Sequence, residues 1–364
     1  MSSTSRQRQT VIVVCPRFEG HRLSYSKLLL QYAAATGRDA VVVGPRGVST
    51  AVEYRTHLAA NTVPHDLREL PDLGPAAIQR LLDESKSASV IFPDGDDVVA
   101  AFASGLLRRG SNDVSILVMR PKGQQKSLAV RSAATAVKAS LRWAARRRAG
   151  VTVMTLASAL APHVGPVEVR DPIEFSPDPH LAEAYRREWA ASAPEGTRWF
   201  GVVGALTSRK NIPTVADALA RIPQPVGLVL AGHAEDGEAE VARWVAPLAT
   251  ANVVVQRVAG TLSDEQLDSI ISALDVAVVA HSNEGPSGIV GKAHAANRFV
   301  LAAGALSLKA DLRANPALGL WTPLDPAAMA RAAEVLLSMK RSTGGGPYSS
   351  DFAARLLGDT VSQP

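Results

Sequence analysis

Apolar positions along the chain fall into two kinds of run that alternate. Val11 to Val14, Ala40 to Val43, Val90 to Phe92, Val114 to Val118 and Val151 to Thr155 are short, β-branched and continuous in hydrophobicity, as strands buried on both faces are. Between them the apolar residues recur every three or four positions. Ser24 to Thr36 sets Leu28, Leu29, Tyr32 and Ala33 on one face and stops at Gly37, and the same spacing predicts helices over Ala76 to Ser87, Val98 to Arg109 and Lys126 to Arg148. The rhythm breaks at Asp171-Pro-Ile-Glu-Phe-Ser-Pro-Asp-Pro179 and then restarts. Strands follow at Trp199 to Val203, Val226 to Ala231, Val253 to Val258, Val276 to Ala280 and Phe299 to Ala302. Helices separate them at Ile212 to Arg221, Glu238 to Ala249, Ser263 to Ala273 and Ser287 to Ala296, with a last one at Ala327 to Lys340.

Two alternating halves predict an α/β protein with two doubly wound, Rossmann-like parallel sheets facing each other across a cleft. The domains expected are residues 1–172 and 173–343, followed by a tail, 344–364, that can cross back to the first domain. A length of 364 residues suits two domains, and 46% hydrophobic against 20% charged residues excludes a disordered chain. Cys15 is the single cysteine, so an internal disulfide framework and multi-thiolate metal centres are excluded. No apolar run approaches the roughly 18 residues of a membrane span, which makes a cytoplasmic protein the expectation.

Charge divides unevenly. Residues 1–180 hold 23 Lys/Arg and 16 Asp/Glu, whereas residues 181–364 hold 16 and 18. Val114 to Val167 contains nine basic residues and no acid, and most of them fall in the predicted helix 126–148. In that helix Val130, Ala134, Val137, Leu141 and Ala145 form one expected apolar face, with Arg131, Lys138, Arg142 and Arg146 along another. A solvated basic face, an anionic membrane surface and a phosphorylated acceptor are the alternatives for it. Aromatic interleaving is lacking, so no nucleic-acid partner is expected.

In open parallel sheets ligands bind at the carboxyl ends of strands. After Trp199 to Val203 comes Gly204-Ala-Leu-Thr-Ser-Arg-Lys-Asn211, whose Arg209 and Lys210 precede a helix and suit a phosphate, or else form a solvated pair. After Val276 to Ala280 comes His281-Ser-Asn-Glu-Gly-Pro-Ser-Gly-Ile289. Gly285 and Gly288 let backbone approach a ligand there, and the amides of Ser287, Gly288 and Ile289 form an anion site at a helix start, unless Ser287 simply caps the helix.

Taken in order, Gly204 through Asn211, Val229-Leu-Ala-Gly232, Val258 through Leu267, Leu274-Asp-Val-Ala-Val-Val279, Glu284-Gly285 and Lys292-Ala293 resemble the donor-binding half of the retaining family-four GT-B glycosyltransferases, also called glycosyl transferases group 1. The resemblance covers about residues 170–340, and Asp171 to Pro177 looks like that family's interdomain segment. It implies that Arg209 and Lys210 bind the donor diphosphate with the amides of Ser287, Gly288 and Ile289. Gly204, Val258, Gly285 and Lys292 would line the donor nucleotide and sugar, and Glu284 would touch the sugar at the reacting centre. It further implies an acceptor loop at Gly20 and His21, with His21 a candidate catalytic residue, and an acceptor-side position at Arg120. A nucleotide-diphosphate sugar is the implied donor substrate, the acceptor is unassigned, and no cofactor or metal is required.

Two positions depart from the family pattern. Lys292 stands where a second glutamate usually grips ribose hydroxyls, and Arg120 follows a strand after which many members carry a histidine. Altered donor choice explains them, as does a catalytically silent sugar-nucleotide-binding relative or partner subunit. An epimerase on the same fold is a third reading. Asp94-Gly-Asp-Asp97 has the carboxylate spacing of a hard-cation site, but Asp96 or Asp97 could equally cap the helix beginning at Val98.

Overall fold

β-Branched runs and amphipathic stretches assemble as two parallel sheets in the computed structural model, which describes residues 10–17, 22–59, 63–123, 128–340 and 351–359. By internal contacts the chain divides into one unit of residues 1–157, 164–171 and 350–364 and a second of residues 158–163 and 172–349.

In the first unit β1 (Val11–Val14), α1 (Arg22–Ala35), β2 (Ala40–Pro45), α2 (Val52–Tyr54), β3 (Asp66–Leu70) and α3 (Pro75–Glu84) lead to β4 (Ser89–Phe92). Then come α4 (Val98–Ser104), β5 (Asp113–Val118), α5 (Leu128–Arg146), β6 (Val151–Ala157) and β7 (Glu168–Arg170). The strand order is β3-β2-β1-β4-β5-β6-β7, all parallel. Alternate residues of β1 serve opposite layers: Val11 and Val13, with Cys15 just past the strand, pack with α1, and Ile12 and Val14 pack with α3 and α4. That two-sided burial is why the run reads as continuously apolar.

The second unit contains α6 (Pro179–Ala191), β8 (Arg198–Val203), α7 (Ile212–Leu219), β9 (Val226–Gly232), α8 (Glu238–Val245), β10 (Val253–Ala259) and α9 (Asp264–Ala273). It continues through β11 (Val276–His281), α10 (Gly288–Ala295), β12 (Phe299–Gly304), α11 (Leu306–Ala314), β13 (Gly319–Thr322) and α12 (Pro326–Ser338). Its sheet runs β10-β9-β8-β11-β12-β13. The chain returns to the first unit at α13 (Phe352–Leu357), where the Phe352 ring packs at a tilt against Tyr25, centroids 5.1 Å apart, and Arg38 pairs with Asp359 at 2.8 Å. Gly344 to Gly346 lie outside the described residues.

Both sheets reverse winding direction at equivalent places, between β1 and β4 and between β8 and β11. These are the switch points where loops diverge and leave room for a ligand.

The prediction for α5 holds in part: Ala145 is buried and Leu141 packs on the core, but the cations and the two valines are placed otherwise. Arg142 donates to the Pro121 carbonyl at 2.8 Å, Arg146 to Val153 at 2.8 Å and Lys138 to Arg120 at 2.8 Å, so the basic side chains turn toward the body of the unit. Val130 and Val137, expected inside, are 53% and 59% exposed. Unpaired backbone carbonyls in the 120–122 turn are strong acceptors, and long cationic side chains satisfy them while their stems cover the layer beneath.

Candidate functional site

The strand-end turns of the second unit are built around two glycines. Gly204 (φ +83°) follows β8 and Gly232 (φ +132°) ends β9. A Cβ on Gly232 would stand 2.3 Å from the Gly204 carbonyl oxygen, so the two backbones approach as only glycine permits. Beyond them Leu206 and Ala234 bridge the chains, and Thr207 opens a single 3-10 turn over Ser208–Lys210.

This turn gives the basic pair two different environments. Arg209 is exposed, with Nε donating to Thr207 Oγ1 at 3.2 Å. Lys210 is buried and its Nζ donates to the Val203 carbonyl at 2.5 Å. Burial, with Arg209 beside it, pulls the Lys210 pKa down to about 7, against a smaller opposing pull from Glu235. The expectation of a fully solvated pair therefore holds for Arg209 alone.

Asn211, which the sequence reading left without a role, joins the two turns. It sits in the left-handed region (φ 49°, ψ 41°) ahead of α7, and its Nδ2 donates to Ala280 at 2.7 Å and to the Arg209 carbonyl at 3.0 Å. Ser282 donates its amide to the same Arg209 carbonyl at 3.2 Å. The turn after β8 is thus fastened to the turn after β11. An asparagine between a basic pair and a helix-initiating Ile-Pro is the signal that could have revealed it.

Downstream of that join the chain runs through Glu284 and Gly285 to α10. Glu284 accepts the amides of Leu306 at Oε1 and Ser307 at Oε2, both at 2.9 Å, and so caps the start of α11. Gly285 exchanges hydrogen bonds with the Ser307 hydroxyl. Ser287 occupies the N-cap position of α10 without a side-chain capping bond, so its hydroxyl does not satisfy the first amides of that helix. Ser287, Gly288 and Ile289 are all buried.

Lys292 is directed elsewhere. Its Nζ donates to Asp268 Oδ1 at 2.5 Å and to the Glu174 carbonyl at 2.7 Å, and Asp268 Oδ2 accepts the Ser176 amide at 2.8 Å. The buried ammonium instead fastens α10 to α9 and to residues 174–176 of the same unit, and neighbouring Gly291 leaves room for Ile173, which a Cβ would meet at 2.5 Å. Val258 is half-buried on β10, opposite Ala231. Beside it Arg257, also unforeseen, donates to the carbonyls of Leu230, Val258 and Gly232 at 2.9, 2.5 and 2.6 Å and pairs with Glu238 at 2.7 Å.

In the first unit the switch-point turns carry carboxylates. Gly95 fits only as glycine, since a Cβ would stand 2.2 Å from Ile116 Cγ2. Asp96 accepts the Arg120 amide at 3.2 Å, and Asp97 pairs with Arg17 at 2.9 Å. Asp97 holds the N-cap position of α4 without a capping bond, so the capping reading of these carboxylates is replaced by pairing with neighbouring turns. Burial raises the Asp96 carboxyl above its usual range, opposed by the Arg120 amide. The Arg120 side chain is exposed. Among the described residues no group of three or more His, Cys, Asp or Glu could hold a metal ion, and no helix is long and apolar enough to cross a membrane. Gly20 and His21 lie outside the described residues.

Residues 197–339 match the family model of glycosyl transferases group 1. No curated protein matches the chain. Among solved structures it is similar to HepE of Anabaena in complex with UDP-glucose, at 15% identity over 90% of each chain and a TM-score of 0.64. Sucrose-phosphate synthase of Thermosynechococcus elongatus is 20% identical over 91% of this chain and 90% of its own, with a TM-score of 0.61. WaaG, a glycosyltransferase involved in lipopolysaccharide biosynthesis, is 14% identical over 90% of each chain, with a TM-score of 0.58. The chain thus has the GT-B fold of these structures, and the larger part of its second unit matches the glycosyl transferases group 1 model.

Proposed function

We propose that the second unit binds a nucleoside diphosphate sugar and that the chain transfers the sugar, with retention at its anomeric carbon, to an acceptor bound by the first unit. The observation that carries this reading is the Asn211 join, which holds Arg209 and Lys210 against the turn leading to α10. A diphosphate there would meet a guanidinium, an ammonium and the amides at a helix start. Negative charge that develops on the leaving diphosphate as the glycosidic bond breaks is then stabilised by groups already in position, with no general base needed at that step. Because these cations supply the neutralisation, the transfer is read as needing no resident metal or cofactor. Val258 and Gly204 are assigned to the nucleotide, Glu284 and Gly285 to the sugar. On the acceptor side the assignment falls to Gly20, His21 and Arg120.

HepE was solved with UDP-glucose, which puts uridine diphosphate sugars first in the donor panel. A specific observation also favours the silent-binder reading: both Glu284 oxygens accept backbone amides and Lys292 is held by Asp268. The two readings part on turnover. Thermal-shift screening against sugar nucleotides should find a stabilising donor, with about 2.7 kcal/mol gained at a hundred times its dissociation constant. NMR of that mixture should then show slow transfer of the sugar to water, with free sugar and nucleoside diphosphate appearing in equal amounts. Stabilisation without any release over days would favour the silent binder, and no stabilisation by any sugar nucleotide would end both readings.

A further inference from the structure

The inward turn of the basic residues on α5 leaves an unusual surface. Of eight large hydrophobic side chains exposed among the described residues, three are on α5 and one lies two residues past α4: Val130, Val137, Trp143 and Leu106, between 53% and 63% exposed. Of the five tryptophans only Trp143 is among these exposed side chains. The outward face of α5 continues through Ala129, Ala133, Ala136 and Ser140 at helical spacing, without a charged residue until the helix ends. An apolar helix face of this kind on a soluble unit marks a contact surface.

Cations rim one end of that face. The Arg147 guanidinium lies 4.4 Å over the Trp143 ring. Arg148 donates to the Ala103 carbonyl at 3.1 Å and so fastens the end of α5 to the end of α4, next to Leu106. At this junction Ser104, Gly105, Arg108, Arg109 and Arg148 line a cavity of about 410 Å³ with no carboxylate in its wall. One Arg109 nitrogen is engaged by the Asn112 carbonyl at 2.8 Å, and each guanidinium has five N–H donors. The whole stretch 114–167 is free of acids.

We infer that this surface lies on an anionic bilayer, with Val130, Val137 and Trp143 at the acyl boundary and the arginine-lined cavity holding a lipid phosphate. Charge selects this occupant. A second copy docking through the same face would set Arg147, Arg148 and Arg108 against themselves with no carboxylate to pair them. Apolar side chains flanked by arginines and an interfacial tryptophan match instead the layered chemistry of a bilayer edge, apolar within and anionic at the headgroups.

Vesicle sedimentation tests this, using phosphatidylcholine alone and phosphatidylcholine mixed with phosphatidylglycerol. The native protein should sediment only with the acidic vesicles. Val137→Ser/Trp143→Ser and Arg108→Ser change exposed groups and should keep the native melting temperature, while each lowers partitioning, the former by about tenfold or more and the latter by a smaller factor. Inorganic phosphate at equal ionic strength to chloride should compete no better than chloride, because the cavity takes its phosphate from a lipid already held by the apolar face. Four results would overturn the inference: no sedimentation with acidic vesicles, sedimentation undiminished in the Val137/Trp143 variant, displacement by inorganic phosphate alone, or dimerisation in light scattering that the Val137/Trp143 variant abolishes.

Discussion

The first four strands of each sheet follow one winding order, yet their switch points carry opposite charge. In the second unit the turn after β8 presents exposed Arg209 and buried Lys210, and Asn211 ties it to the loop that runs to α10. In the first unit the other side of the switch point, the turn after β4, presents Asp94, Asp96 and Asp97; Asp97 pairs with Arg17 of the turn after β1, and Asp96 accepts the Arg120 amide. Topology determines where loops converge, and the side chains on those loops determine what can be held. A cationic edge suits a diphosphate. A carboxylate edge repels one and suits hydroxyls, as the proposed assignment of donor and acceptor to the two units requires.

That contrast breaks most severely if Lys292 belongs to the cationic edge. Its ion pair makes it a strut, so Lys292→Ala should destabilise the protein by roughly 3–5 kcal/mol in urea denaturation, since Asp268 would be left buried and unpaired. Lys292→Met with Asp268→Leu should restore most of the loss. A stable Lys292→Ala protein with weakened donor binding would return Lys292 to the ligand.

Glycine substitutions sharpen the comparison. Gly232→Ala forces a Cβ toward the Gly204 carbonyl at a positive φ, and should cost roughly 1–3 kcal/mol and weaken donor binding together. Gly95→Ala should lower the melting temperature but leave donor affinity unchanged, because its clash is with Ile116 in the other sheet.

Protonation offers a finer distinction. The ammonium form of Lys210 is the one that attracts a diphosphate, and in the free protein its pKa lies at about 7. A bound anion raises that pKa, so the contribution of Lys210 is complete below about pH 7 and fades as pH rises through the pKa of the complex. Calorimetry from pH 6 to 9 should show falling affinity and proton uptake on binding. Lys210→Met should flatten the profile; a native profile already flat would place the charge elsewhere. The smallest effect concerns Cys15, whose thiol contacts Ser26 at 2.9 Å and is pushed up to about 11 by burial. It should resist thiol reagents in the folded protein and react on unfolding.

The central strands and most helices were legible because two-sided burial and helical periodicity leave plain traces. β3, β7 and β13 were not. β3 is an edge strand whose Asp66, Arg68 and Glu69 face outward, β7 has three residues, and β13 begins at Gly319, so none shows an apolar run. At the candidate site the turn positions were readable, since glycines and paired cations punctuate a strand end. Side-chain directions were not. Periodicity on α5 could not say that its cations would turn toward carbonyls at 120–122, nor could the spacing of Lys292 reveal Asp268, 24 residues away. Asn211 and Arg257 act through backbone carbonyls that only the fold brings near.

The opposition of charge is tested most directly by calorimetric titration of UDP and UDP-glucose into three proteins: native, Arg209→Ala/Lys210→Ala, and Asp94→Asn/Asp96→Asn/Asp97→Asn. Two charge-assisted contacts of roughly 1.5–3 kcal/mol each are removed in the second protein, so its affinity should fall by at least about tenfold at a temperature where it is still folded, its melting temperature being lowered by loss of the buried Lys210 side chain. The third should bind the nucleotide as the native protein does. Equal affinity in the native and Arg209→Ala/Lys210→Ala proteins, or a loss confined to the aspartate variant, would contradict the assignment of the donor diphosphate to the second unit.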